Sequence, residues 1–485
     1  MRILEAEALL ADAGASVIPE GAVAVGEGRV LAIGPAADLA RQFPQAPRER
    51  FEHALLLPGF VNAHQHGRGL SQIQLGYPDD ALEPWIARRR GRGAPDPYAL
   101  TKLAALEMLA NGVTATLHAN YSYASGDYEA ELRASLRAYE ETGLRATVCV
   151  GYADRGGLVY PDADEAAFRA GLSAQARALL DAARPAYLPL DATLDLMDRL
   201  CADYAGHPTI TLAYGPAGPQ WVSDAAWAAL AKDAAARGLG LHFHLLESPA
   251  QARCADALYP EGVLARLEAL GVFAAKASAA HFTRGTARDI AQALRLGLVI
   301  VANPGSNLRL GNGAPAMAHW REAGLTVALG TDNCALQDNE DYLSELRLGD
   351  LLARAAGADP AATLPMGTRA GAQACFRDDI GSLHPGLRAD LVALDLSRLR
   401  GAYLDTDTGL VEAVMARACG ADVVMTMVEG EERYRRGPAA ADIRRGAADL
   451  AASAALGARD IGAPARRAAE EIAQALRRHY GDGPS

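Results

Sequence analysis

Short apolar runs alternate with alanine-rich stretches of helical periodicity through most of the chain. Strands that alternate with helices predict βαβ units and a parallel sheet. Eight such units within about 320 residues favour an α/β fold of the closed (β/α)₈ TIM-type barrel over an open doubly wound sheet. No glycine-rich phosphate-binding motif follows any of the runs, which also argues against a dinucleotide fold. The eight predicted strands are residues 57–66, 113–117, 146–150, 209–212, 240–244, 277–281, 298–301 and 325–329.

Both ends of the chain have a different pattern, in which short strands are joined by turns. Runs at 21–25 and 28–34 have counterparts at 389–395 and 423–428. Two β segments from opposite ends of a sequence can pair into one small domain. We therefore expect a discontinuous β-sandwich domain from residues 1–57 and 381–436, a catalytic barrel over 58–380, and C-terminal helices over 437–485. These helices are expected to pack on the barrel or on a partner subunit, and the sequence assigns no chemistry to them.

Composition and charge restrict the class of function. Of the 485 residues, 50% are hydrophobic and 22% are charged, which is typical of globular proteins. The net charge of −12 argues against nucleic acid or an anionic membrane as partner, because both bind clustered Lys and Arg. No apolar run reaches the ~18 residues of a membrane span, and acidic residues stand where a signal peptide would be basic and then apolar. The six cysteines have no paired spacing. Reduced thiols in a cytoplasmic protein are therefore expected.

The first barrel run ends in the sequence His64-Gln65-His66. Side chains two positions apart leave a strand by the same face, so both imidazoles point to one place. Considered alone, such a pair is more often packed in a core or exposed than bound to metal. Four further polar residues change that interpretation, because each lies at the end of another predicted strand: His244, Glu247, His281 and Asp332. The C-terminal strand ends of a barrel form one rim, so all of these residues are expected to meet there.

The residue types on that rim match one task. Three imidazoles and a carboxylate form a tetrahedral site for a cation such as zinc, with room for water. A bound cation lowers the pKa of water to roughly 7, and the resulting hydroxide attacks an electron-poor carbon. Asp332 is expected to accept the proton of the attacking water, and Glu247 to protonate the leaving nitrogen. His281 is expected to orient water or stabilise developing charge.

Taken together, these motifs resemble the amidohydrolase superfamily, in its branch of aromatic-ring deaminases and triazine hydrolases. The resemblance runs from the N-terminus to about residue 435. It implies one divalent metal ion, zinc or Fe²⁺, held by His64, His66, His244 and Asp332, with Glu247, His281 and Asp332 catalytic. It also implies a homo-oligomer. The segments that carry it are 58–66, 244–247, 280–281, 303–311, 330–332 and 381–392.

Two departures from the family pattern refine this expectation. Members with two metals bridge them by a lysine from the fourth strand, and residues 212–220 contain none. Deaminases of the methylthioadenosine type often carry a histidine in that stretch, where this chain has Ala217, which weakens a nucleoside assignment. Dechlorinating relatives tend to lack the glutamate of strand five, so Glu247 favours hydrolysis of a C–N bond.

Several residues have two interpretations at this level. His242 shares a strand face with His244, which we prefer as the ligand because Glu247 follows three residues later. For His118, packing and a place in the pocket are equal alternatives. Packing is also the alternative to substrate contact for three loop residues, namely Gln72, Trp85 and Tyr121. Asn303, Ser306 and Asn307 are expected to hold the loop after strand seven rather than to contact substrate.

The predicted function is hydrolytic deamination of an amino-substituted nitrogen heterocycle, of purine, pterin, pyrimidine or triazine type, with release of ammonia. Such rings are electron-poor at the carbon that bears the amine. The same residues would serve hydrolysis of another leaving group, such as an alkylamine, a chloride or a ring amide. The third alternative is a catalytically silent interaction protein, which the complete set of ligands disfavours.

Overall fold

The computed structural model describes residues 1–76, 78–123, 125–183, 186–332, 338–359, 362–437 and 440–481. Its strands are β1 Arg2–Leu9, β2 Ile18–Pro19, β3 Gly21–Gly26, β4 Arg29–Pro35, β5 Arg48–Pro58, β6 Phe60–Gln65, β7 Val113–Ala119, β8 Arg145–Tyr152, β9 Ile210–Pro216, β10 Gly240–Leu245, β11 Ala277–His281, β12 Val299–Ala302, β13 Val327–Leu329, β14 Leu391–Asp395, β15 Val423–Val428 and β16 Glu431–Arg435.

The helices follow the same chain order. They are α1 Ala36–Gln42, α2 Leu82–Arg88, α3 Pro97–Ala110, α4 Tyr128–Thr142, α5 Glu165–Ala170, α6 Ala174–Asp181, α7 Leu190–Asp203, α8 Asp224–Arg237, α9 Pro249–Leu258, α10 Val263–Ala269, α11 Ala287–Leu296, α12 Pro304–Arg309, α13 Met317–Glu322, α14 Tyr342–Ala355, α15 Arg369–Ala374, α16 Leu396–Arg400, α17 Leu410–Arg417 and α18 Ala440–Tyr480.

Strands β6 to β13 form one eight-stranded parallel sheet in sequence order. The sheet closes where Asp332 N–H donates to His64 O at 2.9 Å and Gln65 pairs with Asp332 in a parallel bridge. Every residue of β6 and β10 is buried, as expected of barrel strands that are covered on both faces. The predicted (β/α)₈ barrel is therefore confirmed, and its first and last strands meet beside the candidate site residues.

The second sheet draws its strands from both ends of the chain. Its order is β16-β15-β14-β5-β1-β3-β4, with β2 paired to β1. The N-terminal strand β5 pairs antiparallel with the C-terminal strand β14, so that Leu57 lies opposite Val392. The sheet curls until Val30 N–H of β4 donates to Leu387 O at 2.9 Å. One apolar core, which includes Leu4, Val23 and Met425, lies inside the curl.

The long helix α18 bends once, at Gly462, which has a positive φ of 69° and is followed by Pro464. The helix packs against α2, α3 and α6. Among the described residues, no helix combines the length and the apolar character that a membrane crossing requires.

Candidate metal centre

The strand ends bring all six predicted site residues into one buried cluster. Asp332 Oδ1 lies 2.9 Å from His66 Nε2 and 3.5 Å from His64 Nε2. The ring centre of His244 lies 5.0 Å from that of His64 and 5.5 Å from that of His66. His281 Nε2 lies 4.0 Å from Asp332 Oδ2. Residues from the first, fifth, sixth and eighth barrel strands thus converge on one point.

Hydrogen bonds from behind the rings assign the tautomers of two imidazoles. His66 Nδ1 lies 2.6 Å from Ala119 O, and His244 Nδ1 lies 2.8 Å from Ala217 O. A carbonyl oxygen only accepts, so in each ring Nδ1 carries the hydrogen. Each Nε2 therefore presents a lone pair to the centre, which is the form that binds metal.

His242 orients His64 rather than reaching the centre. Ser278 Oγ donates to Ala374 O at 2.9 Å and lies 2.8 Å from His242 Nδ1, so the serine oxygen accepts the hydrogen of that nitrogen. His242 Nε2 is then an acceptor, and it lies 2.8 Å from His64 Nδ1. His64 Nδ1 must donate to it, which leaves His64 Nε2 as a third lone pair. The two histidines of β10 thus have different surroundings, with His242 behind the cluster and His244 in it.

The electrostatics of this cluster fit a cation. Burial lowers the pKa of His64 to about 3, that of His66 to about 4 and that of His244 to about 3, despite the nearby carboxylate. Neutral imidazoles and an ionised carboxylate form a cluster of acceptors only. Among the described residues, no hydrogen-bond donor satisfies His64 Nε2 or His66 Nε2. The donor set therefore fits a divalent metal.

Glu247 and His281 form the other side of the cluster. Glu247 Oε2 lies 3.6 Å from His281 Nε2, while Glu247 Oε1 accepts from Asn312 Nδ2 at 3.0 Å. Burial raises the pKa of Glu247 to about 7, so its carboxyl can carry a proton near neutral pH. His281 Nδ1 lies 2.8 Å from Asn307 Oδ1, which accepts its hydrogen, and the other ring nitrogen, Nε2, faces Glu247.

The loop after β12 positions two of the site residues. Ser306 Oγ donates to Asp332 Oδ2, and Asn307 accepts from His281. Both roles agree with the expectation that this loop serves positioning. His281 and Asp332 also have positive φ angles, 76° and 56°, which are strained for residues with a side chain and occur at functional sites.

Tyr121 and Trp85, for which substrate contact and packing were alternatives, lie at different distances from the metal centre. The ring of Tyr121 stacks on His66 with centres 4.1 Å apart, and its hydroxyl lies 3.1 Å from His244 Nε2. The Arg89 guanidinium lies 5.9 Å from the ring centre of Trp85 and 5.7 Å from that of Tyr121. Tyr121 therefore reaches the centre itself, and Trp85 lies one layer further out.

Two further polar residues are buried near the first two strands. His118 Nδ1 lies 3.0 Å from the hydroxyl of Tyr139, which also accepts from Gln65 Nε2 at 3.0 Å. This network explains His118 as a structural residue. Gln72 is buried, and its Nε2 has no hydrogen-bond partner among the described residues. Sequence reasoning missed Asn312 and Gln251, which contact Glu247, because no motif marks them.

With the geometry in place, comparison with known proteins assigns the class. The profile of the amidohydrolase family matches residues 55–433, and the chain belongs to that family. A bacterial imidazolonepropionase-like composite domain also matches residues 21–46, within the second sheet.

Individual relatives give the same class. The chain is 28% identical over 435 residues to a 5-methylthioadenosine/S-adenosylhomocysteine deaminase of Moorella thermoacetica, with 87% of this chain and 91% of the relative covered. A zinc-bound adenosine deaminase of Xanthomonas campestris superposes with a TM-score of 0.74 at 26% identity, covering 92% of this chain and 98% of the other. A zinc complex of atrazine chlorohydrolase from Arthrobacter aurescens TC1 has the same fold, with a TM-score of 0.74 at 21% identity and coverage of 94% and 100%.

Proposed function

We propose that the protein is a metal-dependent deaminase that hydrolyses the exocyclic amino group of an aminopurine-type heterocycle and releases ammonia. The observation that carries this proposal is the position of Glu247, whose carboxyl lies beside a cluster of acceptors that fits a cation. A proton donor next to such a cluster is what expulsion of nitrogen requires.

The metal would be held by His64, His66 and His244 through Nε2 and by Asp332 through its carboxylate. Zinc is the proposed ion, with Fe²⁺ as the alternative, because three nitrogens and one oxygen suit zinc. A cation held there would lower the pKa of water to about 7 and would so supply a nucleophile at neutral pH. The zinc-bound adenosine deaminase supports this choice.

Three side chains handle protons and orientation. Asp332 would accept the proton of the attacking water through its carboxylate, whose Oδ2 also accepts a hydrogen bond from Ser306. Glu247 would give its proton to the leaving nitrogen, since burial keeps that proton available near pH 7. His281 Nε2 would accept a hydrogen bond from the water or from the tetrahedral centre, because its Nδ1 is occupied by Asn307.

The relatives favour an adenine-type ring among the heterocycles considered. Both deaminase names refer to adenosine or its thioether derivatives. Ala217 contributes only its carbonyl to the site, as acceptor for His244. Contacts to the rest of the substrate must therefore come from other residues than position 217, and recognition of the sugar or substituent is expected to differ from that of the relatives.

Two other candidate functions are less well supported. Hydrolysis of an alkylamine, chloride or ring amide would use the same residues, but an acid at Glu247 contributes most when the leaving atom is nitrogen. A silent interaction protein would have no reason to keep His64 Nε2 and His66 Nε2 buried without a hydrogen-bond partner among the described residues, which is costly without a cation.

We also propose that the protein works in the cytoplasm as a homo-oligomer with a small-molecule substrate. The cysteines support a reducing compartment: the five described ones are free thiols, and Cys334 lies outside the described residues. The family resemblance supports the oligomer.

Ammonia release tests the proposed function. Metal-loaded protein is assayed on adenine nucleosides, other aminopurines, pterins, aminopyrimidines and aminotriazines, with products identified by mass. We expect ammonia from at least one aminopurine. Glu247→Gln should lower kcat by about 10²–10⁴-fold with unchanged metal content, because only the proton donor is lost.

The matched control for that substitution is Glu322→Gln, on an exposed residue of α13, which should keep full activity. No ammonia from any ring with one metal ion bound per chain would contradict the proposal. A product whose mass shows replacement of an alkylamine or chloride by hydroxyl, or addition of water to a ring amide, would establish the alternative leaving group instead.

A further inference from the structure

The C-terminal helix α18 lies against two helices that come from the loops after barrel strands. Beyond the bend at Gly462, α18 packs on α2 and α6, which belong to the loops after the first and third barrel strands. Ala468, Ile472 and Leu476 share an apolar cluster with Ala87 of α2. The amidohydrolase profile ends at residue 433, so this helix lies outside the part of the chain that matches the family.

Charged groups fix the orientation of α2 on this helix. The Arg88 guanidinium donates to both carboxylate oxygens of Glu470, at 2.7 and 3.1 Å. Asp80, next to α2, accepts from Arg88 and from Arg477 of α18. Paired bonds of this kind specify geometry, although partly exposed ion pairs add little stability. The position of α2 is thus tied to the C-terminal helix.

A buried carboxylate on α2 holds the loop that carries Glu247. Glu83 Oε1 accepts from Ser248 Oγ at 2.5 Å and from the Tyr160 hydroxyl at 3.0 Å. Ser248 follows Glu247 directly, and its Oγ accepts from Gln251 N–H at 3.1 Å as the N-cap of α9. Gln251 Nε2 in turn lies 3.4 Å from Glu247 Oε2. Displacement of Glu83 would therefore loosen Ser248 and, through it, Gln251, the two residues that hold Glu247.

Tyr480, the last residue of α18, completes this network. Its hydroxyl accepts from Tyr160 N–H at 2.7 Å, and the two rings lie 5.4 Å apart. Its backbone carbonyl accepts from Arg253 of α9 at 3.0 Å. Tyr480 thus contacts Tyr160, which donates to Glu83, and α9, the helix that begins beside Glu247.

We propose that Glu83 and Tyr480 are positioning residues for Glu247, and that the C-terminal helix thereby completes the active site. The inference rests on the proposed function, in which Glu247 protonates the leaving group. Both residues act through the loop and not on the substrate. Misplacement of a catalytic group by about 1 Å costs about 10²-fold in rate, so loosening this network should lower kcat while KM changes little.

A double-mutant cycle tests this coupling in the full-length protein, since deletion of α18 would expose too much apolar surface to be informative. The variants are Glu83→Ala, Tyr480→Phe and their combination. We expect kcat to fall about 10²-fold in the first and about tenfold in the second, with KM within about twofold. The double variant should lose no more than Glu83→Ala alone, because both changes act on one network.

The matched control is Tyr403→Phe, which removes the hydroxyl of a tyrosine that is 76% exposed and bonded to Asp405. Amide hydrogen exchange of residues 157–160 and 248–258 should accelerate in Tyr480→Phe and stay unchanged in the control. If Glu83→Ala does not fold, Glu83→Gln takes its place in the cycle, because glutamine has nearly the same side-chain shape as glutamate.

Two results would overturn the inference. One is a Tyr480→Phe protein that matches the control in both kcat and exchange, and the other is a double variant whose losses multiply. The exchange measurement needs no substrate, so it tests the network even if the wild-type protein releases no ammonia. Absence of ammonia release by the wild-type protein would count against the proposed function and not against the network.

Discussion

At the scale of single residues, each imidazole of the candidate centre depends on an acceptor behind it. Carbonyl oxygens take the Nδ1 hydrogens of His66 and His244, whereas His64 donates to another histidine, His242. Such partners fix the ring and its tautomer, and thereby make Nε2 a better ligand. The affinity for metal should therefore depend on these buried partners as well as on the ligands themselves.

Substitution of His242 tests this dependence. His242→Ala removes the acceptor for His64 Nδ1, so the ring can rotate or exchange its tautomer, and metal affinity should fall about 10–100-fold. Competition with a chelator measures the affinity on folded protein. His319→Ala, at an exposed histidine, is the control. Unchanged affinity in His242→Ala would refute the assigned hydrogen-bond chain.

The residues of the centre were largely predictable, and their supporting residues were not. His64, His66, His244, Glu247, His281 and Asp332 stand at strand ends, where periodicity and spacing mark them, and their assignment as ligands and catalysts stays a proposal. Asn312 reaches Glu247 from a loop, and Glu83 reaches Ser248 from a helix more than 160 residues away. Such contacts depend on tertiary packing, and no local pattern encodes them.

At the scale of elements, the junction between β5 and β6 positions the first two histidines. Gly59 separates the strand that belongs to the second sheet from the strand that opens the barrel. A Cβ atom at this position would lie 2.1 Å from Thr114 Oγ1 of the neighbouring strand β7. Only glycine allows this close approach. The junction thus explains the glycine of the motif as a packing requirement.

Gly59→Ala should destabilise the protein by about 1–3 kcal/mol, because the added methyl must displace a buried strand. The change is measured by the midpoint of denaturant unfolding, provided that the dependence of the unfolding free energy on denaturant concentration stays the same. Gly409→Ala is the matched control, since its Cβ meets nothing within 4 Å and its φ of −61° suits alanine. Equal stability of the two variants would contradict the packing explanation.

At the scale of the whole molecule, the barrel and the second sheet were predictable because their strands are continuous apolar runs. The family and the barrel are confirmed, while the domain boundaries at 57, 380 and 436 stay predictions. The role of α18 was not predictable from its composition, since an Ala-, Arg- and Glu-rich amphipathic helix packs on any apolar surface. Its contacts with α2 depend on how the barrel loops are arranged in space.

The central claim is that one divalent ion is bound by side chains from the first, fifth and eighth barrel strands. A crystal structure of zinc-loaded protein with anomalous data at the zinc edge tests it directly. We expect a single peak per chain, about 2.0–2.1 Å from Nε2 of His64, His66 and His244 and about 2.0–2.2 Å from an oxygen of Asp332. The absence of a peak among these four residues, or a peak bound by His242 in place of His244, would contradict it.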